Sequence, residues 1–214
     1  MNQSEMKLKK VSNPCHNSRY FPYLFNKTYD LLKIDNTGKF SISCPRDAEF
    51  ITNVIIKAIT KLNLVSHQIV ITDATAGVGG NTISFEKHFC KVNAVENDLL
   101  RYNYLVNNMK VYNATSTVFF NEDYVSIHLD LEQDVVFLDP PWGGPEYKNQ
   151  DNIRITLSAV SIETIVNNLI QNKKMAIVVL KLPLNYDYEF FDTCFPTNEK
   201  HQNKNMNIVI VPGS

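Results

Sequence analysis

Downstream of residue 68, apolar positions fall into short β-branched runs separated by stretches at helical spacing. Residues 69–72, 92–95, 117–120, 135–138, 175–180 and 208–211 read as strands. Residues 82–88, 98–112 and 156–170 carry the spacing of helices between them. Upstream, after a turn at Thr37-Gly38, residues 46–61 place Phe50, Val54, Ala58 and Ile59 on one helical face. Residues 1–22 show no period and mix Lys7, Lys9 and Lys10 with Asn, Ser and Pro, the pattern of a flexible arm. The run Tyr20, Phe21, Tyr23, Phe25 and Tyr29 is too apolar for a free tail and is expected to pack on the body or cover a pocket. The reading is therefore an arm over 1–22, an extension over 23–65 that covers the active site, and a core over 66–214. Strand and helix in alternation predict an α/β, Rossmann-like core, a mostly parallel sheet with helices on both faces.

Composition narrows the picture. With 44% hydrophobic residues, 214 residues suffice to bury one core, and there is no uninterrupted apolar run long enough to span a membrane. The polar start MNQSEMKLKK has no apolar secretory segment, so an intracellular protein is expected. Cys15, Cys44, Cys90 and Cys194 stand singly, which argues for reduced thiols and no structural metal. Twenty-one basic against twenty-two acidic residues argue against a protein that grips long nucleic acid by counterion release. A small ligand or a single nucleotide end fits better.

The chemistry gathers at the strand ends, where ligands bind in such sheets. Asp73, Glu96 and Asp123 each close or follow a predicted strand, and Asp139-Pro140-Pro141-Trp142 follows a fourth. The loop Asp73-Ala-Thr-Ala-Gly77-Val-Gly-Gly80 has Thr82 where a dinucleotide fingerprint needs its third glycine, and it lacks the Gly-Lys-Ser/Thr of a phosphate loop. An acid ahead of the glycines and a second acid after the next strand suit S-adenosylmethionine, with Glu96 accepting both ribose hydroxyls. A bare strand-to-helix turn is the competing reading. Two prolines after a buried strand fix an extended turn, and Asp139 with the Pro140 carbonyl offers two acceptors to one exocyclic amine. Accepting both N–H groups favours the electron-rich nitrogen that attacks a methyl sulfonium. Trp142, the sole tryptophan, is suited to stack on the base.

The stretch Phe137-Leu-Asp-Pro-Pro-Trp-Gly-Gly-Pro-Glu-Tyr147 resembles the signature of trimethylguanosine synthases, which hypermethylate the RNA 7-methylguanosine cap. Residues 73–83, Asn107-Asn108 through Val111-Tyr112, Leu24-Phe25 through Gly38, and Phe40-Ser41-Ile42-Ser43 resemble other segments of that family. The likeness covers about residues 20–148. It implies a class I S-adenosylmethionine-dependent methyltransferase acting on N2 of the cap guanine of capped RNA, by direct transfer and without metal, as a monomer. It further implies that Asp73 and Gly77 hold the methionine end of the cofactor, Glu96 the ribose and Asp123 the adenine amine. Ser41, Ser43 and Asn81 would line that pocket and Phe25 close over it. Trp142 would stack on 7-methylguanine, Asp139 and Pro140 orient N2, and Tyr147 reach toward the cap phosphates. A eukaryotic or virus-infected cell, in nucleus or cytoplasm, is the implied setting.

Two positions depart from the family pattern. Asp139 stands where many members have serine, and its charge is expected to favour a cationic N7-methylated base. Leu184 stands where members carry a phosphate-binding arginine, which leaves Lys181 or Lys204 as candidate replacements. Two other readings remain at this stage: an adenine-N6 or cytosine-N4 methyltransferase sharing Asp-Pro-Pro-aromatic, and a catalytically silent cap-binding domain.

Overall fold

A computed structural model describes residues 17–25, 28–172 and 175–213. The expectations for Cys15, the Lys7 to Lys10 cluster and most of the arm fall outside them. In chain order the elements are α1 (Asn36–Ser41), α2 (Pro45–Lys61), β1 (Val70–Asp73), α3 (Gly80–Phe85), β2 (Lys91–Val95), α4 (Leu99–Val111), β3 (Thr117–Phe120), α5 (Tyr124–Ile127) and β4 (Val135–Leu138). They continue with β5 (Thr156–Leu157), β6 (Val160–Ser161), α6 (Ile162–Asn172), β7 (Ile177–Pro183), α7 (Tyr188–Cys194), β8 (Glu199–Asn203) and β9 (Met206–Pro212).

Among the described residues, seven strands form one sheet in the order β3-β2-β1-β4-β7-β9-β8. The first five are parallel, and β9 runs antiparallel between β7 and β8. The chain steps outward from β1 to β2 and β3, then returns to place β4 on the other side of β1. Connections therefore leave in opposite directions above β1 and β4, and the crevice this opens lies at their C-terminal ends.

The β4 sequence Val-Val-Phe-Leu shows how both faces are covered. Val135 and Phe137 pack with Ile51, Ile55 and Ile59 of α2 and with Phe85 and Phe89. Val136 and Leu138 point the other way, into Ile162, Ile165, Val166 and Leu169 of α6. The two-residue period of a strand sends alternate side chains to opposite layers, and both layers are apolar.

The extension is fastened to this core. Phe21, Leu24 and Leu32 are buried with Val78, Ile83, Leu105 and Met109. Asn108 on α4 accepts from the Lys33 N–H and donates to the carbonyls of Lys33 and Val78, while Asn107 donates to the Leu31 carbonyl and the Tyr112 hydroxyl to that of Pro22. At the start of α3, a Cβ on Gly80 would lie 2.6 Å from Ile42 Cγ1 and 2.9 Å from the Ser43 carbonyl oxygen, so glycine there lets the extension backbone lie against the turn after β1.

Two expectations need correction, and one strand was missed. Residues 156–161 form the β5–β6 hairpin rather than a first helical turn, because Ser158 and Ala159 adopt φ of 50° and 65°, and helix begins only at Ile162. The Thr37-Gly38 turn lies inside α1, whose start is capped by Asp35 accepting from the Gly38 N–H at 2.8 Å. The strand β8 was not foreseen, because Glu-Lys-His-Gln-Asn at a sheet edge carries no apolar alternation.

Candidate active site

Asp73 ends β1 fully buried, with one carboxylate oxygen accepting from the Thr82 hydroxyl at 2.7 Å. Its other oxygen, and the side-chain oxygen of Asn81, are buried with no hydrogen-bond partner among the described residues. Burial pushes the Asp73 carboxyl up to about 7, against the Thr82 hydrogen bond, and the nearby charge of Asp139 adds to the rise. The two orphaned acceptors, one of them on the Asp73 carboxylate, suit a donor of positive character.

The turn after β1 is tied to the end of β2. Gly77, at φ 56°, donates its N–H to Glu96 at 2.9 Å, and Glu96 also accepts from the Asp98 N–H at 2.9 Å and from Arg101 Nε at 3.4 Å. Three of the four lone-pair sites of the Glu96 carboxylate are thus taken, which fixes its orientation and leaves one acceptor position for a hydroxyl. Asp123, after β3, caps α5 through one oxygen by accepting from the Val125 N–H. Asp73, Gly77, Asn81, Glu96 and Asp123 thus line the C-terminal edge of three neighbouring strands.

Asp139 follows β4, on the far side of β1 from Glu96. Its N–H donates to the Thr75 hydroxyl at 2.9 Å, which ties this loop to the one after β1. Its carboxylate accepts from Lys181 Nζ at 2.7 Å, and the same ammonium donates to the Ser43 hydroxyl at 3.0 Å. Burial raises the Asp139 carboxyl from its ordinary range, and the Lys181 charge opposes that without cancelling it. Pro140 is buried and Pro141 exposed. Trp142 is half-buried, donates its indole N–H to the Lys181 carbonyl at 3.2 Å, and meets the Tyr147 ring edge-on at 5.2 Å between centroids. Beyond Tyr147 an open groove of about 340 Å³ is lined by Tyr147, Lys148, Leu184, Asn185 and Asn205.

Several predicted residues sit elsewhere than expected. Lys181 does not face solvent as a phosphate ligand would; its ammonium is buried on Asp139 and Ser43, because it projects from a strand buried along its whole length. The charge expected of Asp139 is accordingly half of an ion pair. Ser43 touches that pair rather than the acids of β1 and β2. Lys204 is exposed and pairs with Asp47 at 2.9 Å. Phe25 is 92% exposed, and Ser41, also exposed, donates to the Thr37 carbonyl, so neither is drawn into the strand-end network. Sequence reasoning did not single out Thr75, Thr82, Arg101 or Lys148. Of these only Lys148 left a signal, standing directly after Tyr147 in a polar loop.

A crevice at the switch point of this strand order, with orphaned acceptors beneath a glycine turn and Asp-Pro-Pro-Trp across from it, defines a Rossmann-like methyltransferase that uses S-adenosylmethionine. Among solved structures, a Thermus thermophilus 16S rRNA N2 G1207 methyltransferase, in complex with AdoMet and guanosine, superposes with a TM-score of 0.59 at 14% identity, over 85% of this chain and 44% of its own. Residues 68–206 match the family described as RNA cap guanine-N2 methyltransferase, and the chain belongs to that family. An uncharacterised protein of Acanthamoeba polyphaga mimivirus is 36% identical over 190 residues, 80% of this chain and 74% of its own length. Trimethylguanosine synthase of Schizosaccharomyces pombe is 28% identical over 141 residues, 63% of this chain; the chain spans 55% of that enzyme's length. Among the described residues no helix is long and apolar enough to cross a membrane.

Proposed function

We propose that this protein methylates N2 of 7-methylguanosine at an RNA 5′ cap, giving the 2,7-dimethyl base and, in a second round, the 2,2,7-trimethyl base. The observation that carries this reading is the Asp139-Pro140-Pro141-Trp142 turn at the β1/β4 switch point, with the half-buried indole tied to Lys181 and edged by Tyr147. S-adenosylmethionine, when bound, supplies an electrophilic methyl group on sulfur. The orphaned oxygens of Asp73 and Asn81 fit its cationic end, Glu96 its ribose and Asp123 its adenine amine. Trp142 offers one face to a cationic 7-methylguanine, a stack worth about 1–3 kcal/mol. Asp139 and the Pro140 carbonyl would accept the two N–H bonds of N2 and so orient its lone pair toward the methyl group that the cofactor would supply. The proton that N2 gives up on methylation would pass to Asp139 or to water.

The cap phosphates then run past Tyr147 along the groove that Lys148 lines. Lys148 Nζ lies 5.9 Å from the Tyr147 ring, and with Lys181 buried and Lys204 held by Asp47 it is the cation best suited to meet them. Incubation with S-adenosylmethionine and 7-methylguanosine diphosphate, GDP or an adenine-containing oligonucleotide tests the assignment by mass. A gain in mass of one or two methyl groups on 7-methylguanosine diphosphate alone is expected; methylation confined to the oligonucleotide overturns it. Lys148→Ala is expected to raise the KM for 7-methylguanosine diphosphate about tenfold, with kcat nearly kept.

A further inference from the structure

Lys181 is the residue of this site that the proposed chemistry does not use. It lies at the fifth position of β7, between β4 and β9 in the sheet, and its environment leaves nothing to solvent-mediated chance. Its ammonium reaches one oxygen of Asp139 at 2.7 Å and the Ser43 hydroxyl at 3.0 Å. Its carbonyl accepts the Trp142 indole N–H at 3.2 Å, and its ammonium stands 5.5 Å from the Trp142 ring. Side chain and main chain of one residue thus fasten the two groups assigned to the guanine, and Ser43 joins them to the extension.

We propose that Lys181 is the positioning residue of the guanine site: it occupies one oxygen of Asp139 so that the other faces the exocyclic amine, and its carbonyl sets the plane of Trp142. The proposal rests on the cap-guanine reading for the identity of the amine, but the geometry it describes exists in the protein alone. Held this way, Asp139 offers a single acceptor in a fixed direction, and the pair carries no net charge toward the base. Preference for a cationic 7-methylguanine over guanine then comes from the Trp142 face, not from Asp139. Two charged groups stand near the Asp139 carboxylate: Lys181 from β7 and Asp73 from β1. Of these only Lys181 favours the ionised acceptor. Without it, burial and the Asp73 charge both favour neutral Asp139, whose O–H would then donate and turn away the N–H of the substrate.

The sole tryptophan makes this testable without substrate. In the full chain free of ligand, Trp142 emission is expected to depend on pH more strongly in K181M than in the native protein and in K181R, and to lose that added dependence in D139N/K181M. K181M emission with the same pH dependence as that of the native protein overturns the proposal. In methyl transfer to 7-methylguanosine diphosphate, K181M is expected to lose about tenfold to a hundredfold in kcat at pH 7 and to regain much of it as pH rises, while KM for S-adenosylmethionine holds. In a D139S background the same substitution is expected to change kcat less than about twofold, because the group it positions is gone. An equal loss in both backgrounds overturns the proposal. Should K181M alone unfold, D139S/K181M must melt no lower than D139S, which leaves the lysine buried without its counter-ion; a lower midpoint overturns it. If the native protein neither binds nor methylates the 7-methylguanosine nucleotide, the cap reading fails while the emission and melting tests still judge Lys181.

Discussion

Asp73 is a carboxylate in a position where ionisation is costly, and that cost has a sign. Its folded pKa, raised to about 7, exceeds the unfolded value of 3.8, so folding takes up a proton. The ligand-free protein therefore loses stability from this group as pH rises from about 4 to 7, and loses no more above that. A cationic cofactor end reverses the preference, because it binds the ionised form. Affinity for S-adenosylmethionine is expected to be about tenfold weaker at pH 6 than its plateau above pH 7, and Asp73→Asn should flatten the dependence. Calorimetric titration at pH 6 and 8 measures both; equal affinities would mean that no cofactor charge reaches Asp73. Trp142 and Glu96 separate the two halves of the site in the same way. Trp142→Ala is expected to weaken 7-methylguanosine diphosphate binding about tenfold to a hundredfold and leave cofactor affinity nearly intact, and Glu96→Ala the reverse. Equal loss of both ligands from the tryptophan variant would make it a structural residue.

At the scale of elements, the strands that carry the site were legible and the segments that shape its rim were not. β1, β2, β3 and β4 are short, β-branched and bounded by acids, glycines or prolines, so hydrophobic pattern and punctuation agree. The hairpin at 156–161 and the helix α1 are set by positive φ and by a single capping bond, to which a hydrophobic pattern is blind. The Lys181–Asp139 pair was hidden for another reason. A lysine in the apolar run of β7 reads as an interruption until the register places it beside the loop after β4. The extension has its own anchor in Asn108, whose amide makes three bonds to backbone groups of Lys33 and Val78. Asn108→Ala is expected to cost about 1–3 kcal/mol and to expose residues 20–33 to protease before the core unfolds. Limited proteolysis followed through a thermal melt checks this; simultaneous cleavage of extension and core would deny the anchor.

Across the whole molecule, the formal charge of −1 fits the proposed single-nucleotide substrate better than a long nucleic-acid track. Binding of capped RNA is expected to weaken only gently with salt, with a log–log slope of about −1 to −2, and to be the same for five and for twenty nucleotides. A slope that steepens with RNA length would reveal contacts beyond the cap. The strand order has a consequence for how the protein comes into being. Asp139 and its counter-ion are forty-two positions apart in sequence, and β7 lies between β4 and β9, the last of the described strands. On the ribosome, then, the acceptor loop emerges well before the lysine that neutralises it and the strand that seals that lysine in. Until residues 177–183 have emerged and paired with β4, the acceptor loop lacks its counter-ion, and the strand that covers the other edge of β7 follows later still.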